Sequence, residues 1–400
     1  MTRSGPSVNC ILPPHILRAL LENEDREIRR TALATLASTS RLRGERAVRP
    51  IVAVAAPAGG RRTISDCHHS KQLAQATVQR GEDDPAATDS SVNAAFEGLG
   101  TTRDFYWQVL QRNSIDGKGM RLNGYVHYGQ AFNNAFWDSR EMVFGDGDGR
   151  VFSDFTGALD VIAHELTHGV TEHTAGLEYH VQPGALNESV SDVFGSVVKQ
   201  WKLGQTAAEA DWLIGADIFT PGVEADALRS MKAPGTAYDT PLLGGKDPQP
   251  DRMSNFVQLP DTDEDDNGGV HINSGIPNKA FYLVASGIGG NSWEAPGVIW
   301  YEALKASSPD TDFQAFADTT FAKAGQLYGT GSPEQQAVFG AWQGVEIKIS
   351  GVSPLSVRIS ATSAGGNGVA PESLPSRVDD LASQIKALTK EVNGLRKARV

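Results

Sequence analysis

The residues best suited to chemistry lie in the stretch Val161-Ile162-Ala163-His164-Glu165-Leu166-Thr167-His168-Gly169. On a helix, side chains four apart share one face, one turn above each other. His164 and His168 can therefore offer two imidazole nitrogens to a single metal ion. Tetrahedral zinc accepts such nitrogens at about 2.0–2.1 Å. Glu165 lies one step round from the first histidine. It reaches a metal-held water but is not placed to be a third ligand on the same stripe. Two ligands with a general base between them is the His-Glu-x-x-His arrangement.

A catalytic zinc usually takes three protein ligands and a water. The next helical-looking segment runs from about Ala185 to Trp201, and Glu188 within it is the candidate third ligand. It stands twenty residues after His168, enough for one helix to end and a second to pack back. Asp192 follows one turn later on the same face. A carboxylate there can hold the free N–H of a ligating histidine and fix its tautomer. Alone, a Glu-x-x-x-Asp pair is an ordinary solvated face. At this distance behind His-Glu-x-x-His it reads as a ligand and its support.

With these residues in view, the block from His164 to Asp192 resembles the thermolysin family of zinc metallopeptidases, the gluzincin group. Three further stretches carry the resemblance. Asn133-Asn134-Ala135-Phe136-Trp137 is similar to the family's substrate-binding edge strand, and Leu228-Arg229-Ser230-Met231 to its substrate-carbonyl arginine segment. Asp266-Asn267-Gly268-Gly269-Val270-His271-Ile272-Asn273-Ser274-Gly275 resembles its second catalytic signature. The similarity runs from roughly residue 75 to 346. Pro13-Pro14-His15-Ile16-Leu17 resembles the start of the protealysin-like subgroup, whose precursors are short and carry a Pro-Pro motif.

The resemblance implies an α+β, two-lobed catalytic domain. Its N-terminal lobe is β-rich, its C-terminal lobe is helical, and the zinc helix lies in the cleft between them. It implies one catalytic Zn²⁺ on His164, His168 and Glu188, with Glu165 as general base on a water whose pKa falls to about 7. His271 and Tyr179 would stabilise the oxyanion, Asp266 would orient His271, and Arg229 would hold a substrate carbonyl. Asn134 and Ala135 would pair with an extended substrate by strand addition. Phe152, Phe155, Val161 and Leu228 correspond to the apolar lining of the S1′ pocket. Cleavage on the amino side of Leu, Phe or Ile is therefore expected, since burying one such side chain is worth about 1.5–3 kcal/mol.

A possible Ca²⁺ enters the same way, as what the resemblance implies. Asp160 and Asp211 fall at positions of the family's double calcium site, but Lys199, Leu213 and Ala216 stand where the family places acids. A lysine replaces attraction with repulsion, so loss of that site is expected. Thr220 and Asp226 keep a weaker candidate loop site. Gly145-Asp146-Gly147-Asp148-Gly149 lacks EF-hand spacing and reads as a glycine-rich hairpin turn. The acidic run at 261–266 reads as a solvated loop.

The chain has 400 residues, more than one core usually holds. Its net charge of −12 argues against general nucleic-acid binding. Two cysteines, Cys10 and Cys67, cannot build a disulfide scaffold, and their spacing leaves them free or paired. The first fifteen residues contain no apolar run of leader length, and Ile51–Ala58 is too short to span a bilayer. No membrane partner is expected. Export without a visible Sec leader is expected, with a cytoplasmic location as the alternative.

Residues 1–62 read as a prosegment and activation linker. Ile16, Leu17, Leu20, Leu21, Ile28, Leu33 and Leu36 fall roughly on a helical face. Between Arg26 and Arg62, nine Arg stand against two Glu, a local charge of +7 that leaves −19 elsewhere. Such a segment can dock electrostatically on an acidic body. Cys10–Leu17 is expected to lie over the zinc cleft as an intramolecular inhibitor, with Cys10 or His15 as a remote candidate for a metal contact. The stretch from Arg41 to Arg62 is a plausible nicking region.

Residues 63–193 are assigned to the N-terminal catalytic lobe. A helix is expected over Ser91–Leu110, with strands over Leu122–Tyr128 and Asn133–Trp137. Residues 194–346 form the helical lobe, with helices over Asn278–Ser286, Ala295–Ala306, Asp312–Tyr328 and Pro333–Trp342. Residues 347–373 suggest short strands and a flexible linker. Residues 374–400 carry an a/d seam, Leu374, Val378, Leu381, Ile385, Leu388, Val392 and Leu395. That seam suits a coiled coil and a homo-oligomer, or a lone helix docking on its own body.

Two function classes follow. The first is a zinc endopeptidase made as a zymogen and acting on polypeptides. The second is a silent binding protein on a protease fold that uses its C-terminal coiled coil. A degenerate protease should have lost Glu165, Glu188 or His271, and all three are present.

Overall fold

The computed structural model describes residues 9–48 and 61–352. The apolar stretch at 51–58 and the seam at 374–400 lie outside the described residues. So does everything beyond Val352.

The N-terminal segment supplies β1 (Asn9–Cys10), α1 (Pro14–Leu21) and α2 (Arg26–Val48). Pro14 starts α1, where a missing N–H costs nothing. Its apolar face buries Ile16, Leu17 and Leu20 completely or nearly so. Leu33 of α2 departs from the expected stripe and is 60% exposed. The body continues with β2 (Arg62–Asp66), β3 (Thr77–Gly81), α3 (Ser90–Leu110), β4 (Leu122–Val126), β5 (Ala135–Trp137) and β6 (Glu141–Phe144). Asp89 caps α3 by accepting from the Ser91 and Val92 amides.

These strands form one six-stranded sheet in the order β1-β5-β6-β4-β2-β3. β2, β4 and β6 run parallel, and β1 pairs antiparallel with the edge strand β5, Cys10 opposite Phe136. The N-terminal segment thus extends the sheet of the body. Gly145–Gly149 does not join two paired strands, so it is no hairpin. Asp148 Oδ1 instead accepts from the amides of Arg150, Val151 and Phe152 and folds the loop on itself.

Behind the sheet run α4 (Leu159–Glu172) and α5 (Val181–Leu203). Every residue of α4 from Asp160 to Thr171 is buried. Gly195 lets the two helices close, because a Cβ there would meet the Asp160 carbonyl oxygen at 2.6 Å. α5 runs unbroken across residues 193 and 194, where the lobe boundary was expected.

Short strands β7 (Leu213–Ile214), β8 (Arg229–Ser230), β9 (Asp239–Thr240) and β10 (Gly245–Lys246) follow. The second lobe is α6 (Asp266–Asn273), α7 (Gly275–Ile288), α8 (Ala295–Lys305), α9 (Phe313–Tyr328) and α10 (Pro333–Gly344). Trp300 and Trp342 stack face to face at 6.0 Å in its core. Ile347 and Ile349 are buried against this lobe, and no strand forms between residues 347 and 352; the rest of the expected strand region lies outside the described residues.

Among the described residues no helix is long and apolar enough to cross a membrane. No disulfide joins Cys10 and Cys67. Both are buried in one small apolar cluster with Tyr128, Phe132, Phe136 and Val143. Burial pushes the Cys67 thiol up to about 12, so it packs as a neutral hydrophobe.

Candidate active site

Helix geometry places His164 and His168 one turn apart, and α5 brings Glu188 against both. Their Nε2 atoms lie 3.0 Å apart, and the Glu188 oxygens stand 3.5 Å from His164 Nε2 and 3.4 Å from His168 Nε2. A tetrahedral ion with bonds of about 2.0–2.1 Å requires ligand separations of about 3.3–3.4 Å. All three side chains are buried, and Glu188 Oε2 has no hydrogen-bond partner. Among the described residues this is the one group of three or more His, Cys, Asp or Glu side chains arranged to hold a metal. The donor set, two imidazoles and a carboxylate, suits zinc.

Each histidine is fixed from behind through Nδ1. His164 Nδ1–H donates to Asp192 Oδ1 at 2.9 Å, as expected from the sequence. His168 Nδ1 lies 2.8 Å from Asn187 Oδ1 and 3.0 Å from Ser191 Oγ, two residues the sequence reading missed. The signal for Asn187 was its place beside Glu188, since the second imidazole needs an orienting acceptor as much as the first. Asp192 also takes both arms of Arg229, Nε and Nη2, each at 2.8 Å, and the Asn278 amide at 2.8 Å. Burial would raise the Asp192 pKa, but the Arg229 charge and the His164 bond outweigh it and hold it at about 2. A permanent anion therefore stands behind His164.

Glu165 is buried on the open side of the histidine pair. Its Oε2 accepts from the Trp137 amide at 3.0 Å, while Oε1 has no partner. Burial pushes its carboxyl up to about 8, giving it the basicity a proton acceptor needs. The Trp137 amide was not identified from sequence, because a backbone donor leaves no residue signature.

α6 opens with Asn267, Gly268 and Gly269 at φ of 49°, 81° and 79°, a left-handed turn that glycine tolerates. That turn folds Asp266 back on His271. Asp266 Oδ2 accepts from the His271 amide at 2.9 Å, and Oδ1 takes Nδ1–H at 2.5 Å. His271 Nε2 then faces the cleft, 3.4 Å from the Tyr179 hydroxyl and 3.5 Å from Glu188 Oε2. The Tyr179 hydroxyl donates to Glu188 Oε1.

The N-terminal segment crosses this cleft. His271 Nε2–H donates to the Cys10 carbonyl at 3.0 Å, and Arg229 Nη1 to the Ile11 carbonyl at 3.2 Å. The Ile11 amide donates to the Ala135 carbonyl at 3.4 Å and the Leu12 amide to Asn134 Oδ1 at 3.3 Å. Cys10 thus offers the site its carbonyl, and its thiol packs in the apolar cluster. His15 bonds Tyr238 instead of reaching the histidine pair.

Among the described residues the arginines of the basic stretch divide: Arg61 and Arg62 pair with Asp83 and Glu82 of the body at 3.1 and 2.6 Å, and those at the start of α2 turn elsewhere. Arg30 pairs with Glu27 of its own helix, and Arg29 reaches the carbonyls of Asn23 and Glu24. Body residue Arg150 pairs with Asp25 of the segment at 2.7 Å, the reverse polarity. Ile11, Leu12, Ile16, Leu17 and Leu20 are at most 2% exposed, and apolar burial on that scale carries the contact.

Phe152, Phe155, Val161 and Leu228 are all buried. Phe152 packs 5.8 Å from Phe155 and stacks on Phe219 at 5.4 Å, so part of the expected lining is a closed aromatic stack. Ile218, not singled out from sequence, is buried and, like Leu228, closes over Gly215.

At the suspected calcium positions, Lys199 Nζ lies 3.0 Å from Asp211 and 3.6 Å from Asp160. Thr220 Oγ1 is turned to the Arg150 carbonyl at 2.7 Å.

Comparison with known proteins adds a family to this geometry. The profile of the thermolysin metallopeptidase catalytic domain matches residues 55–172, and that of its alpha-helical domain matches residues 175–347. The chain is 50% identical over 321 residues to an extracellular metalloprotease of Pectobacterium carotovorum subsp. carotovorum, covering 80% of this chain and 91% of that one. It is 43% identical to protease PrtS of a Photorhabdus species, covering 85% and 92%. The solved precursor of protealysin, a metalloproteinase from Serratia proteamaculans, superposes with a TM-score of 0.77 at 47% identity, covering 85% of this chain and 99% of that one.

Proposed function

The chain belongs to the thermolysin family of metallopeptidases, and we propose that it is a zinc endopeptidase held inactive by its own N-terminal segment. We assign its cleavage to the amino side of bulky hydrophobic residues, and its place of action to the outside of the cell. The observation that carries the reading is the pair of consecutive carbonyls, Cys10 on His271 and Ile11 on Arg229, laid along β5 beside His164, His168 and Glu188.

Bound by His164, His168 and Glu188, zinc supplies a Lewis acid and lowers the pKa of a water to about 7. Glu165 Oε1 is the free oxygen that takes the proton of the attacking water and later passes it to the leaving amine. The Trp137 amide keeps the other oxygen still during that transfer. His271 Nε2–H donates to the substrate oxygen as charge gathers on it, and the Tyr179 hydroxyl, 3.4 Å from that nitrogen, becomes a second donor when its proton turns from Glu188 Oε1. Asp266 holds His271 in the tautomer that presents this N–H. Arg229 is anchored on Asp192 through Nε and Nη2, which leaves Nη1 for a substrate carbonyl. Asn134 and Ala135 pair with the substrate backbone, and Phe152, Phe155, Val161 and Leu228 form the apolar wall for the residue after the cut. In the precursor the segment Cys10–Leu12 takes those bonds and so competes with substrate.

The test is hydrolysis of a peptide with a hydrophobic residue after the scissile bond, by the zinc-loaded chain with and without residues 1–60. Cleavage should appear on removal, vanish with 1,10-phenanthroline and fall at least a thousandfold in Glu165→Gln. Undiminished hydrolysis by Glu165→Gln would sink the assignment of the base. Equal activity from both chain lengths would sink the inhibitory role.

A further inference from the structure

The N-terminal segment carries one histidine, and the proposed reaction does not use it. His15, in the first turn of α1, has Nε2 2.9 Å from the Tyr238 hydroxyl. Its Nδ1 is shielded and has no hydrogen-bond partner within the protein. A neutral ring with its proton on Nε2 is served by this arrangement, donating to the Tyr238 hydroxyl and leaving no buried donor unpaired. A second proton turns both nitrogens into donors and leaves one of them buried without an acceptor.

The surrounding charges act in the same direction. Arg18 of α1, Arg229 of β8 and His271 of α6 all oppose an imidazolium, while Asp266 favours one. Both Asp266 oxygens are already taken by His271. Asp247, near Tyr238, accepts from the amides of Gly235, Ala237 and Gln249. On α2, Glu27 and Arg30 pair with each other and Arg29 is turned to the carbonyls of Asn23 and Glu24. Asp263 and Glu264 share a cavity wall with Leu17 and Arg18, not with His15. Burial above all, with the nearby cations, lowers the His15 pKa to about 4.

We propose that His15 is an acid-sensitive latch: neutral, it lets the strap Cys10–Leu17 lie across the cleft, and protonated, it forces the strap out. The proposal rests on the reading of that strap as an inhibitor. The docked pKa lies below that of the freed segment, near 6.5, so docking is strongest above pH 6.5. It weakens as pH falls, about tenfold per unit, to a limit of roughly 300-fold reached below pH 4.

The experiment uses the full chain, zinc-saturated and carrying Glu165→Gln to prevent self-cleavage. Hydrogen exchange of residues 9–21 and of α4 is followed by mass spectrometry from pH 7.5 to 4.5, corrected for intrinsic exchange. The strap should lose protection with a one-proton dependence while α4 keeps it. His15→Gln, which retains a donor for Tyr238, and His15→Phe should flatten that dependence. An unchanged pH dependence in both variants overturns the latch and leaves the inhibitor reading standing. So does simultaneous opening of the strap and α4. If both variants are undocked at pH 7.5, the wild-type transition decides. A midpoint outside pH 4–6.5, or a slope above one proton, overturns the latch. A strap unprotected at pH 7.5 in the wild type overturns the inhibitor reading itself.

Discussion

Asp160 lies one turn before His164 on α4, and the two begin separate polar clusters along the same helix pair. Around His164, two imidazoles and the Glu188 carboxylate converge, and no lysine or arginine forms an ion pair with that carboxylate among the described residues. Around Asp160, the ammonium of Lys199 comes within 3.6 Å and also reaches Asp211 at 3.0 Å. Asp160 accepts from the Gly215 and Val161 amides as well. Both clusters bury a carboxylate at 0% exposure. A buried anion needs a positive partner or hydrogen bonds to all its oxygens. One cluster answers that need with a lysine ammonium, whereas in the other Glu188 Oε2 has no hydrogen bond and faces only the ring nitrogens of His164 and His271, each at 3.5 Å, an arrangement an added cation would complete.

Stripping zinc should sharpen the contrast most. Hydrolysis should fall to background, and stability should drop by about 4 kcal/mol if free zinc had stood about a thousandfold above its Kd. A chelated protein with unchanged melting temperature would break the comparison at its stronger end. Asp192→Asn comes next. The variant keeps a hydrogen bond to His164 but loses the charge that holds Arg229, and zinc affinity should fall about 10–100-fold. Competition with a chromophoric chelator measures this, and an unchanged affinity would show that Asp192 serves Arg229 alone.

Much of the metal cluster is readable in the chain, for a physical reason. His164, His168, Glu188 and Asp192 sit on two helices, where sequence spacing maps directly onto a face. Long periodic helices such as α3 and α5 were placed within a few residues. The partners that close the site are harder to read. The Trp137 amide is a backbone group, Asn278 arrives from ninety residues beyond Glu188, and Asn187 hides beside the ligand it supports. The docking of the N-terminal segment is expected over the cleft, but a charge count does not show which of its arginines reach the body. A charge count sums arginines without knowing that Arg29 and Arg30 spend their bonds on their own segment. The exposure of Leu33 has the same origin: α1 and α2 are two helices, and one periodicity drawn across both cannot serve each.

Lys199 offers the smallest effect and the cleanest way to break the comparison. Its side chain is 13% exposed while Asp160 is fully buried, so Lys199→Met should leave that carboxylate with amide donors alone. Removing one partner of a fully buried pair costs about 3–5 kcal/mol, and partial exposure of the lysine and of Asp211 should reduce this to about 2 kcal/mol. A lower denaturation midpoint with unchanged hydrolysis would be the expected result, because the metal ligands lie a turn away. Lys199→Glu goes further and places a third carboxylate beside Asp160 and Asp211. Three oxygen donors of one sign repel until a hard cation joins them. That variant should therefore melt lower than Lys199→Met without calcium and gain stability when millimolar calcium is added. The parent chain should ignore calcium over the same range, since its own ammonium already supplies the charge. Calcium-dependent melting of the parent would mean that Lys199 is displaced by an ion, and the two clusters would then differ in degree only.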